Sequence, residues 1–490
     1  MLTYTFDNRG TLSLYEFLYT RIREDILAGT LRFGEKMPSK RAFAHHLGVS
    51  VITVENAYEQ LVAEGYLEAR ARQGFFVCSI AQTHAKTPEH TLNKQDSSIP
   101  HKMPKAHIST VFQSTETPLV ADLSNNALAG ELFPYATWAK IMRSELTYHQ
   151  KELTQRSPSG GVLLLREQLA AHLKAYRGMN VQPEQIIVGA GSEYLHSLVV
   201  ALLGRTKRFA VEEPGYRTVA RIYQSQGVHC EHIPLDEQGL CMNELERRHI
   251  DVMHVSPTHH FPTGATMSIG RRFELLSWAG GHEGRYLIED DYDSEFRLKG
   301  RPIPALASID NHDRVIYLNT FTKSLSPTIR IGYLVLPQSL VSLFNERLGF
   351  LSNTVSNFEQ YTLAEFLRQG FFERHINRMR TTYATRRDVV LDSLKTGTLS
   401  QRATIIEENA GLHFLLHIAG DFRDEDLQEI LHNKGLRLSP LSVYYHEKKN
   451  APAHTYLINY SSLSEERIEP AFALRSEEHT SELQSLRGNS

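Results

Sequence analysis

Apolar residues in the first part of the chain recur at the spacing of an amphipathic helix. One helix face is formed by Leu14, Phe17, Leu18, Ile22, Ile26 and Leu27, and the pattern ends near Gly29. Two further helices are predicted, over 40–47 between Ser39 and Gly48, and over about 51–64 after Ser50. The pattern therefore predicts three short helices in succession.

The second and third helices, joined by a turn at Gly48, predict a helix-turn-helix, which lays its second helix into a DNA major groove. On the third helix, the residues expected to face the core are Val54, Ala57, Leu61 and Val62. The residues expected on the exposed side are Thr53, Glu55, Asn56 and Tyr58. A β-hairpin over 66–69 and 75–77 follows, and its tip carries Arg70, Arg72 and Gly74. This basic wing suits contacts with phosphates or with the minor groove.

Beyond residue 118, helical stretches alternate with short apolar strands. The predicted strands are 185–188, 208–211, 252–255, 285–288 and 315–319. The alternation predicts an α/β domain over 119–474, with a mostly parallel sheet and a smaller C-terminal lobe. The segment 79–118 is polar and offers little to bury, so it is predicted to be a flexible linker after a first domain, 1–78, that can fold alone.

The last residues, 475–490, look like the translation of a sequencing adapter rather than a natural segment. The alternative is a polar helical tail. We expect this segment to be non-native and leave it out of the predicted fold.

Composition narrows the kind of protein. The 490 residues are 41% apolar and 22% charged, and no run of about 18 apolar residues could cross a bilayer. Because the N-terminus shows no secretory signal, we expect a cytoplasmic protein without a membrane partner. The three cysteines, Cys78, Cys230 and Cys241, match no disulfide or zinc pattern, and no metal site is predicted. With a net charge of -3, any DNA binding must come from a local surface.

Three segments of the predicted α/β domain carry the groups that a pyridoxal phosphate site needs. Such a site uses a lysine for a Schiff base, an acid opposite the pyridinium nitrogen, and donors for the phosphate. Lys323 follows one strand, the carboxylates 289–291 end another, and Ser192 lies between a strand and a helix N-terminus. Each segment has an ordinary alternative: a solvated lysine, a metal-binding or helix-capping acidic cluster, and a common turn.

The N-terminal unit resembles the GntR-type winged helix. The matching motifs are Pro38-Ser39-Lys40-Arg41, Leu47-Gly48-Val49-Ser50, Thr53-Val54, Ala57-Tyr58, Leu61 and Glu64-Gly65-Tyr66-Leu67. The resemblance implies a reader of double-stranded operator DNA, and the predicted contacts are Ser39, Arg41, Ser50, Thr53, Asn56, Tyr58, Arg70 and Arg72. Val51 stands where the family often has Arg, so base readout there should differ. The alternative is a winged helix used only for protein contact.

The rest of the chain, from about 123 to 463, resembles the fold-type I aminotransferase-like domain of MocR-type regulators. The matching strings are Glu212-Glu213-Pro214-Gly215-Tyr216, Pro257-Thr258-His259-His260-Phe261-Pro262-Thr263-Gly264, 288–296, Thr322-Lys323-Ser324-Leu325 and Arg330-Ile331-Gly332-Tyr333. The resemblance implies that Lys323 is the catalytic lysine, which forms the Schiff base with pyridoxal phosphate. It also implies that Asp290 pairs with the pyridinium nitrogen, Tyr292 bonds the ring hydroxyl and Tyr216 stacks on the ring. The phosphate region would be held by Gly191, Ser192, Glu193, Ser324 and Arg330.

The chain departs from the aminotransferase pattern at positions that bear on function. His260 replaces the usual Gln, and Phe261 stands where aminotransferases carry Asn, which changes hydrogen bonding to the ring hydroxyl. Leu457 aligns with the Arg that binds the substrate carboxylate in aminotransferases, so amino acids would lose a bidentate anchor. Arg437 is a candidate substitute, although such a residue is more often a solvated strand charge.

These features predict a transcription regulator. We expect pyridoxal phosphate, alone or as an adduct with a small amine or amino acid, to modulate DNA binding, and control of vitamin B6 metabolism is the first candidate role. The alternatives are an active aminotransferase with an attached DNA-binding domain, and a DNA-binding protein whose large domain only dimerises. The resemblance implies a head-to-tail homodimer.

Overall fold

Three helices and a β-hairpin build the N-terminal unit. The elements are α1 (Leu14–Leu27), α2 (Lys40–Leu47), α3 (Val51–Ala63), β1 (Leu67–Arg70) and β2 (Gly74–Val77). Ser13 and Glu16 form a capping box at the start of α1. Gly48 ends α2 with a φ of 67°, a left-handed conformation that glycine adopts without strain. Buried side chains from all three helices, such as Ile22, Phe43 and Leu61, form one core, and the winged helix-turn-helix predicted from the sequence is confirmed.

The chain divides into two units, 1–109 and 110–490, in this computed structural model. The residues that the structure describes are 4, 6, 13–63, 66–70, 73–78, 121–124, 130–298, 304–396, 400–406 and 411–463. Arg72, the predicted linker 79–118 and the segment 475–490 lie outside them. Within the described ranges, no helix is long and apolar enough to span a membrane.

Helices and strands alternate through most of the second unit. Its helices are α4 (Tyr135–Tyr148), α5 (Gln150–Leu153), α6 (Leu163–Arg177), α7 (Ser192–Leu203), α8 (Arg217–Ser225), α9 (Met242–Arg247), α10 (Ile269–Gly280), α11 (Gln338–Leu348), α12 (Asn357–Arg368), α13 (Phe371–Thr396) and α14 (Asp424–Asn433). Its strands are β3 (Ala121–Asp122), β4 (Ile186–Gly189), β5 (Phe209–Glu213), β6 (Cys230–Asp236), β7 (Gly239–Leu240), β8 (Val252–Val255), β9 (Tyr286–Asp290), β10 (Val315–Thr320), β11 (Gly332–Val335), β12 (Ala403–Ile406), β13 (His413–Ile418), β14 (Leu436–Arg437), β15 (Ser439–Pro440) and β16 (Thr455–Asn459).

Eight strands form the central sheet in the order β4-β11-β10-β9-β8-β5-β6-β7. The neighbours from β10 through β6 pair in parallel, whereas β11 and β7 run antiparallel to their partners. The sheet is therefore mostly parallel, as predicted, and each predicted strand lies within one or two residues of an observed one. Its inner strands are mostly apolar and buried because helices cover both faces.

The C-terminal lobe is built around a small antiparallel sheet with the order β12-β13-β16-β15. Helix α14 precedes the short strand β14, which pairs in parallel with β3 from the beginning of the unit. This two-part arrangement is the fold-type I aminotransferase architecture that the sequence predicts.

Candidate cofactor pocket and DNA-reading surface

The carboxyl ends of five strands, β4, β5, β8, β9 and β10, surround a cavity of about 550 Å³. In open α/β sheets this edge is where ligands bind. Of the residues predicted to bind the cofactor, those that line the cavity are Ser192, Glu193, Tyr216, Asp290, Tyr292 and Lys323. The fold thus brings together side chains that are up to 131 positions apart in the sequence, Ser192 and Lys323 being the extremes.

Lys323 lies in the turn after β10, with most of its side chain enclosed. Burial lowers the pKa of its ammonium group from 10.5 to about 8, because the charged form loses hydration, and the nearby Asp293 carboxylate opposes this shift. An amine with such a pKa is partly neutral near pH 7, and only the neutral form can attack an aldehyde. The position and chemistry of Lys323 fit a Schiff-base lysine.

The three consecutive carboxylates at the end of β9 have different surroundings in the structure. Glu289 accepts hydrogen bonds from the Leu306 and Ala307 backbone N–H groups at 2.7 and 2.8 Å. Asp291 forms a buried ion pair with Arg177, with 2.9 Å between Oδ2 and Nη2. Asp290 alone of the three lines the cavity. It is therefore the carboxylate available to a pyridinium nitrogen, as the family resemblance implied.

The Tyr292 side chain is half-buried at the cavity wall. Burial raises the pKa of its hydroxyl well above 10, and the neighbouring Asp293 carboxylate adds to this shift. The hydroxyl therefore stays protonated and can donate a hydrogen bond. Asp293 is its hydrogen-bonding neighbour, although the two side chains do not meet with normal hydrogen-bond geometry. A poorly satisfied donor beside the cavity can donate to a ligand oxygen.

Two histidines and a tyrosine that the sequence analysis missed form a cluster with Asp290. His254 Nε2 lies 3.4 Å from Asp290 Oδ2, and the Tyr223 hydroxyl lies 3.2 Å from the Nδ1 atoms of both His254 and His196. The hydroxyl has one proton. If His254 donates from Nε2 to Asp290, Tyr223 must donate to His254 Nδ1 and accept from His196 Nδ1. Burial lowers the pKa of His196 to about 3, so this imidazole is neutral.

The same cluster has the atoms of a three-ligand metal site, since ligand atoms of His196, His254 and Asp290 lie within 4.8 Å of one another. The sequence predicted no metal. These residues are far apart in the sequence, and each belongs to a different element, so no spacing motif could reveal the cluster.

The N-terminus of α7, where the phosphate is predicted to bind, borders the cavity through Ser192 and Glu193. Ser192 opens the helix, where backbone N–H groups favour anions. Arg330 pairs with Glu193 at 2.8 Å, and its guanidinium carbon would lie 3.1 Å from a Cβ at Gly191. Gly191 has a φ of 83°, a left-handed conformation that favours glycine. Gly191, Ser324 and Arg330, which were also predicted to hold the phosphate, are not among the residues that line the cavity. Ser324 is fully buried, and its hydroxyl has no hydrogen-bond partner among the described residues.

Aromatic and aliphatic side chains form the wall of the cavity toward the C-terminal lobe. Phe261 and Tyr444 line it, with ring centroids 5.1 Å apart and perpendicular planes. Leu457 is fully buried on β16 and packs with Leu415, beside Phe261. These side chains belong to one apolar cluster, which we call the apolar wall: Phe261, Leu415, Leu441, Tyr444 and Leu457. Phe261 and Tyr444 line the cavity, and the three leucines are buried against them.

Arg437, the candidate substitute for the missing arginine, and His260, which replaces the usual glutamine, each contact a side chain of opposite or complementary character. Arg437 pairs with Asp122 at 3.3 Å, so the substitute anchor already has a counter-charge. His260 is buried with its Nε2 3.6 Å from Glu212 Oε2, and its Nδ1 lies 2.7 Å from the Thr263 hydroxyl. Burial lowers the pKa of His260 to about 3 and raises that of Glu212 to about 8. This pair is therefore neutral near pH 7.

The predicted DNA-reading residues fall into different environments. Ser39 and Ser50 accept hydrogen bonds from the Ala42 and Thr53 N–H groups and so begin α2 and α3. The side chains of Arg41, Asn56 and Arg70 are exposed, Thr53 is half-buried, and Arg70 pairs with Glu68.

The prediction that Tyr58 faces DNA is wrong. Its side chain is fully buried, its ring packs on Phe43 and Phe75, and its hydroxyl donates to the Pro38 carbonyl at 3.0 Å. Tyr58 lies four residues after Val54, so the helical period turns both to the core. Glu55, also expected to be exposed, pairs with Lys40 at 2.6 Å.

Comparisons with known proteins agree with both halves of this description. The family described as bacterial regulatory proteins, gntR family, matches residues 14–77, and aminotransferase class I and II matches residues 120–471. The chain is similar to the multiple substrate aminotransferase from Thermococcus profundus, with a TM-score of 0.65 and 23% identity over 73% of this chain and 90% of that chain. Family and fold together indicate pyridoxal phosphate as the cofactor.

Whole-length relatives are regulators. The chain is 34% identical to the uncharacterized HTH-type transcriptional regulator YdeL of Bacillus subtilis, over 93% of this chain and 95% of that protein. It is 30% identical to the probable rhizopine catabolism regulatory protein MocR of Rhizobium meliloti (93% and 92%), and 33% identical to the pyridoxine biosynthesis regulator PdxR of Corynebacterium glutamicum (87% and 88%). The chain therefore belongs to the MocR-type DNA-binding regulators, which join a gntR-family winged helix to an aminotransferase class I and II domain.

Proposed function

We propose that pyridoxal phosphate held by Lys323 modulates binding of this regulator to its operator DNA. The observation that carries the proposal is a pocket with the groups for the cofactor on one side and the apolar wall on the other. Such a pocket can hold the cofactor but gives an amino acid carboxylate no arginine among the described lining residues.

The residues proposed to hold the cofactor have surroundings that support their roles. Pyridoxal phosphate supplies an aldehyde and an electron-withdrawing ring when it is bound. Lys323 provides the amine, Asp290 a carboxylate for the ring nitrogen, and Tyr292 a proton donor for the ring hydroxyl. Tyr216, 57% exposed, is free to cover the ring. Ser192, the start of α7 and Arg330 supply donors for the phosphate.

The apolar wall favours the cofactor itself as the signal. A carboxylate placed against Phe261 and Tyr444 would lose its hydration without gaining a cation from the described lining residues. An amine without a carboxylate meets no such penalty, so an adduct with a small apolar amine is compatible with the same pocket. One relative is named for regulation of pyridoxine biosynthesis, which supports control of vitamin B6 metabolism as the role.

Coupling between cofactor and DNA is reciprocal by thermodynamic linkage. If the cofactor changes operator affinity by some factor, the operator changes cofactor affinity by the same factor. We propose that a head-to-tail homodimer transmits the change, because two large units that reorient would move their attached DNA readers.

The test measures the affinity of the full chain for DNA upstream of its own and neighbouring genes, with and without pyridoxal phosphate. We expect a cofactor-dependent change of about fivefold or more, and we expect it to vanish in Lys323→Ala. The matched control is Lys174→Ala, an exposed lysine on α6, which should keep the full response. Tight binding that is indifferent to the cofactor in the natural chain would contradict the proposal.

A second candidate function is an aminotransferase with an attached DNA reader. The observation in its favour is the lysine itself, because a pKa of about 8 suits an amine that gains and loses protons at neutral pH. Steady conversion of amino acids to keto acids, absent in Lys323→Ala, would support this function over sensing. We expect no such turnover because of the apolar wall.

A further inference from the structure

Two large apolar side chains at the start of α3 face solvent. Val51 is 41% exposed and Ile52 is 66% exposed, whereas Val54 and Leu61 of the same helix are fully buried. Isolated apolar residues on a surface are common and need no explanation. Val51 and Ile52 are adjacent, and they stand in the first turn of the second helix of a helix-turn-helix. Their exposure is unusual because it falls on the turn of the helix that a helix-turn-helix presents to DNA.

The first turn of α3 has a defined orientation. Ser50 Oγ accepts a hydrogen bond from the Thr53 N–H at 3.1 Å, and the two hydroxyl oxygens lie 2.8 Å apart. In a helix-turn-helix, the N-terminal residues of the second helix contact base edges in the major groove. Since this unit belongs to a DNA-binding family, Val51 and Ile52 meet base edges when the operator is bound.

An aliphatic side chain can recognise only part of what the major groove displays. Guanine, adenine and cytosine present hydrogen-bond donors and acceptors there, whereas thymine adds a C5-methyl group. Against a polar edge, valine or isoleucine would remove water without replacing its hydrogen bonds. Against the methyl group, two apolar surfaces are buried together. We propose that Val51 and Ile52 read thymine C5-methyl groups in each operator half-site.

Neighbouring side chains fit the same half-site. Asn56 is exposed and lies four residues after Ile52, on the same side of α3. Its amide matches the donor and acceptor of adenine in the major groove, which accompany thymine in a T·A pair. An arginine at position 51 would instead select guanine. The operator is therefore expected to carry T·A pairs where such a relative would require G·C.

This inference rests on the DNA-binding role of the gntR family and is independent of the proposed effect of pyridoxal phosphate. A failure of either one leaves the other standing, because the first concerns which bases are read and the second concerns how affinity responds to the cofactor.

The experiment begins with selection of DNA from a random pool by the full chain, with and without pyridoxal phosphate. Each thymine of the selected half-site is then replaced singly by deoxyuridine, which removes only the methyl group. We expect affinity to fall about fourfold at each contacted position. Unchanged affinity at every thymine, or a pool without any enriched sequence under both conditions, would overturn the proposal.

Variants assign the methyl contacts to residues. Val51→Ala and Ile52→Ala should each lose the difference between thymine and deoxyuridine at one position, and Val51→Arg should gain a preference for guanine. Phe33→Ala is the matched control, since Phe33 is 71% exposed in the same unit but outside α3, and it should keep the methyl dependence. Alanine variants that keep the full affinity difference between thymine and deoxyuridine at every position would contradict the assignment.

Discussion

Glu212 is a carboxyl enclosed by the cofactor pocket, and it links stability to pH. Burial raises its pKa from 4.5 to about 8, while a backbone N–H from Ser256 at 2.8 Å opposes the shift. Between these two pKa values the unfolded chain ionises Glu212 and the folded chain keeps it protonated. Its contribution to stability is therefore fully present below about pH 4.5 and is lost as pH rises toward about 8.

Replacing Glu212 by glutamine should remove the part of the stability loss at high pH that this carboxyl causes. Glu212→Gln keeps the shape and the acceptor for Ser256 but cannot ionise, so we expect it to be more stable than the natural chain at pH 8, by about 2–4 kcal/mol. The difference should shrink to near zero at pH 5. Urea unfolding at both pH values measures it, with the exposed Glu246→Gln as the control. An equal effect at pH 5 and pH 8 would contradict this explanation.

At the scale of residues, the sequence identified most pocket-lining side chains but not their partners. Lys323, Asp290 and Tyr292 could be found because motifs and strand ends place them. The chain from Asp290 through His254 and Tyr223 to His196 could not, because four elements must pack before these side chains meet. Tyr58 was misplaced because tyrosine tolerates exposure, and only the helical phase set by Val54 decides its direction.

At the scale of elements, the cap at the start of α3 fixes the first turn of the helix that is predicted to contact DNA. Ser50→Ala removes the oxygen that accepts the Thr53 N–H, so we expect the unfolding free energy of the N-terminal unit to fall by about 1 kcal/mol. Ser50→Thr keeps a hydroxyl and should lose much less. Chemical unfolding followed by a probe placed in this unit measures the difference. Equal losses in both variants would show that the hydroxyl does not cap the helix.

The sequence predicted the boundaries of helices and strands more accurately than it predicted individual side-chain contacts. The helix over 40–47 is observed as Lys40–Leu47 because Gly48 stops it. The strand over 252–255 is observed as Val252–Val255, in which three of the four residues are apolar. Strands β14 and β15 have two residues each, too few to show a hydrophobic period. Only pairing with β3 and β16 makes them strands.

The two units have separate hydrophobic cores, so they should respond differently to the cofactor. Ligand binding stabilises only the structure that holds the ligand. In calorimetry of the full chain without DNA, we expect saturating pyridoxal phosphate to raise the transition of the large unit by several degrees. The transition of the N-terminal unit should stay where it is. Lys323→Ala should show a smaller rise, and equal shifts of both transitions would contradict the separation of cores.

If Arg330 holds the phosphate as proposed, its ion pair with Glu193 would let the site discriminate between anions by their charge. On the proposed assignment, an incoming anion must replace a carboxylate that the chain itself keeps 2.8 Å from the guanidinium. A monoanion such as acetate exchanges one negative charge for another and gains little. A phosphate group with close to two charges gains on exchange. Free carboxylates of metabolites are thereby disfavoured at the mouth of the site, before any other part of the ligand is recognised.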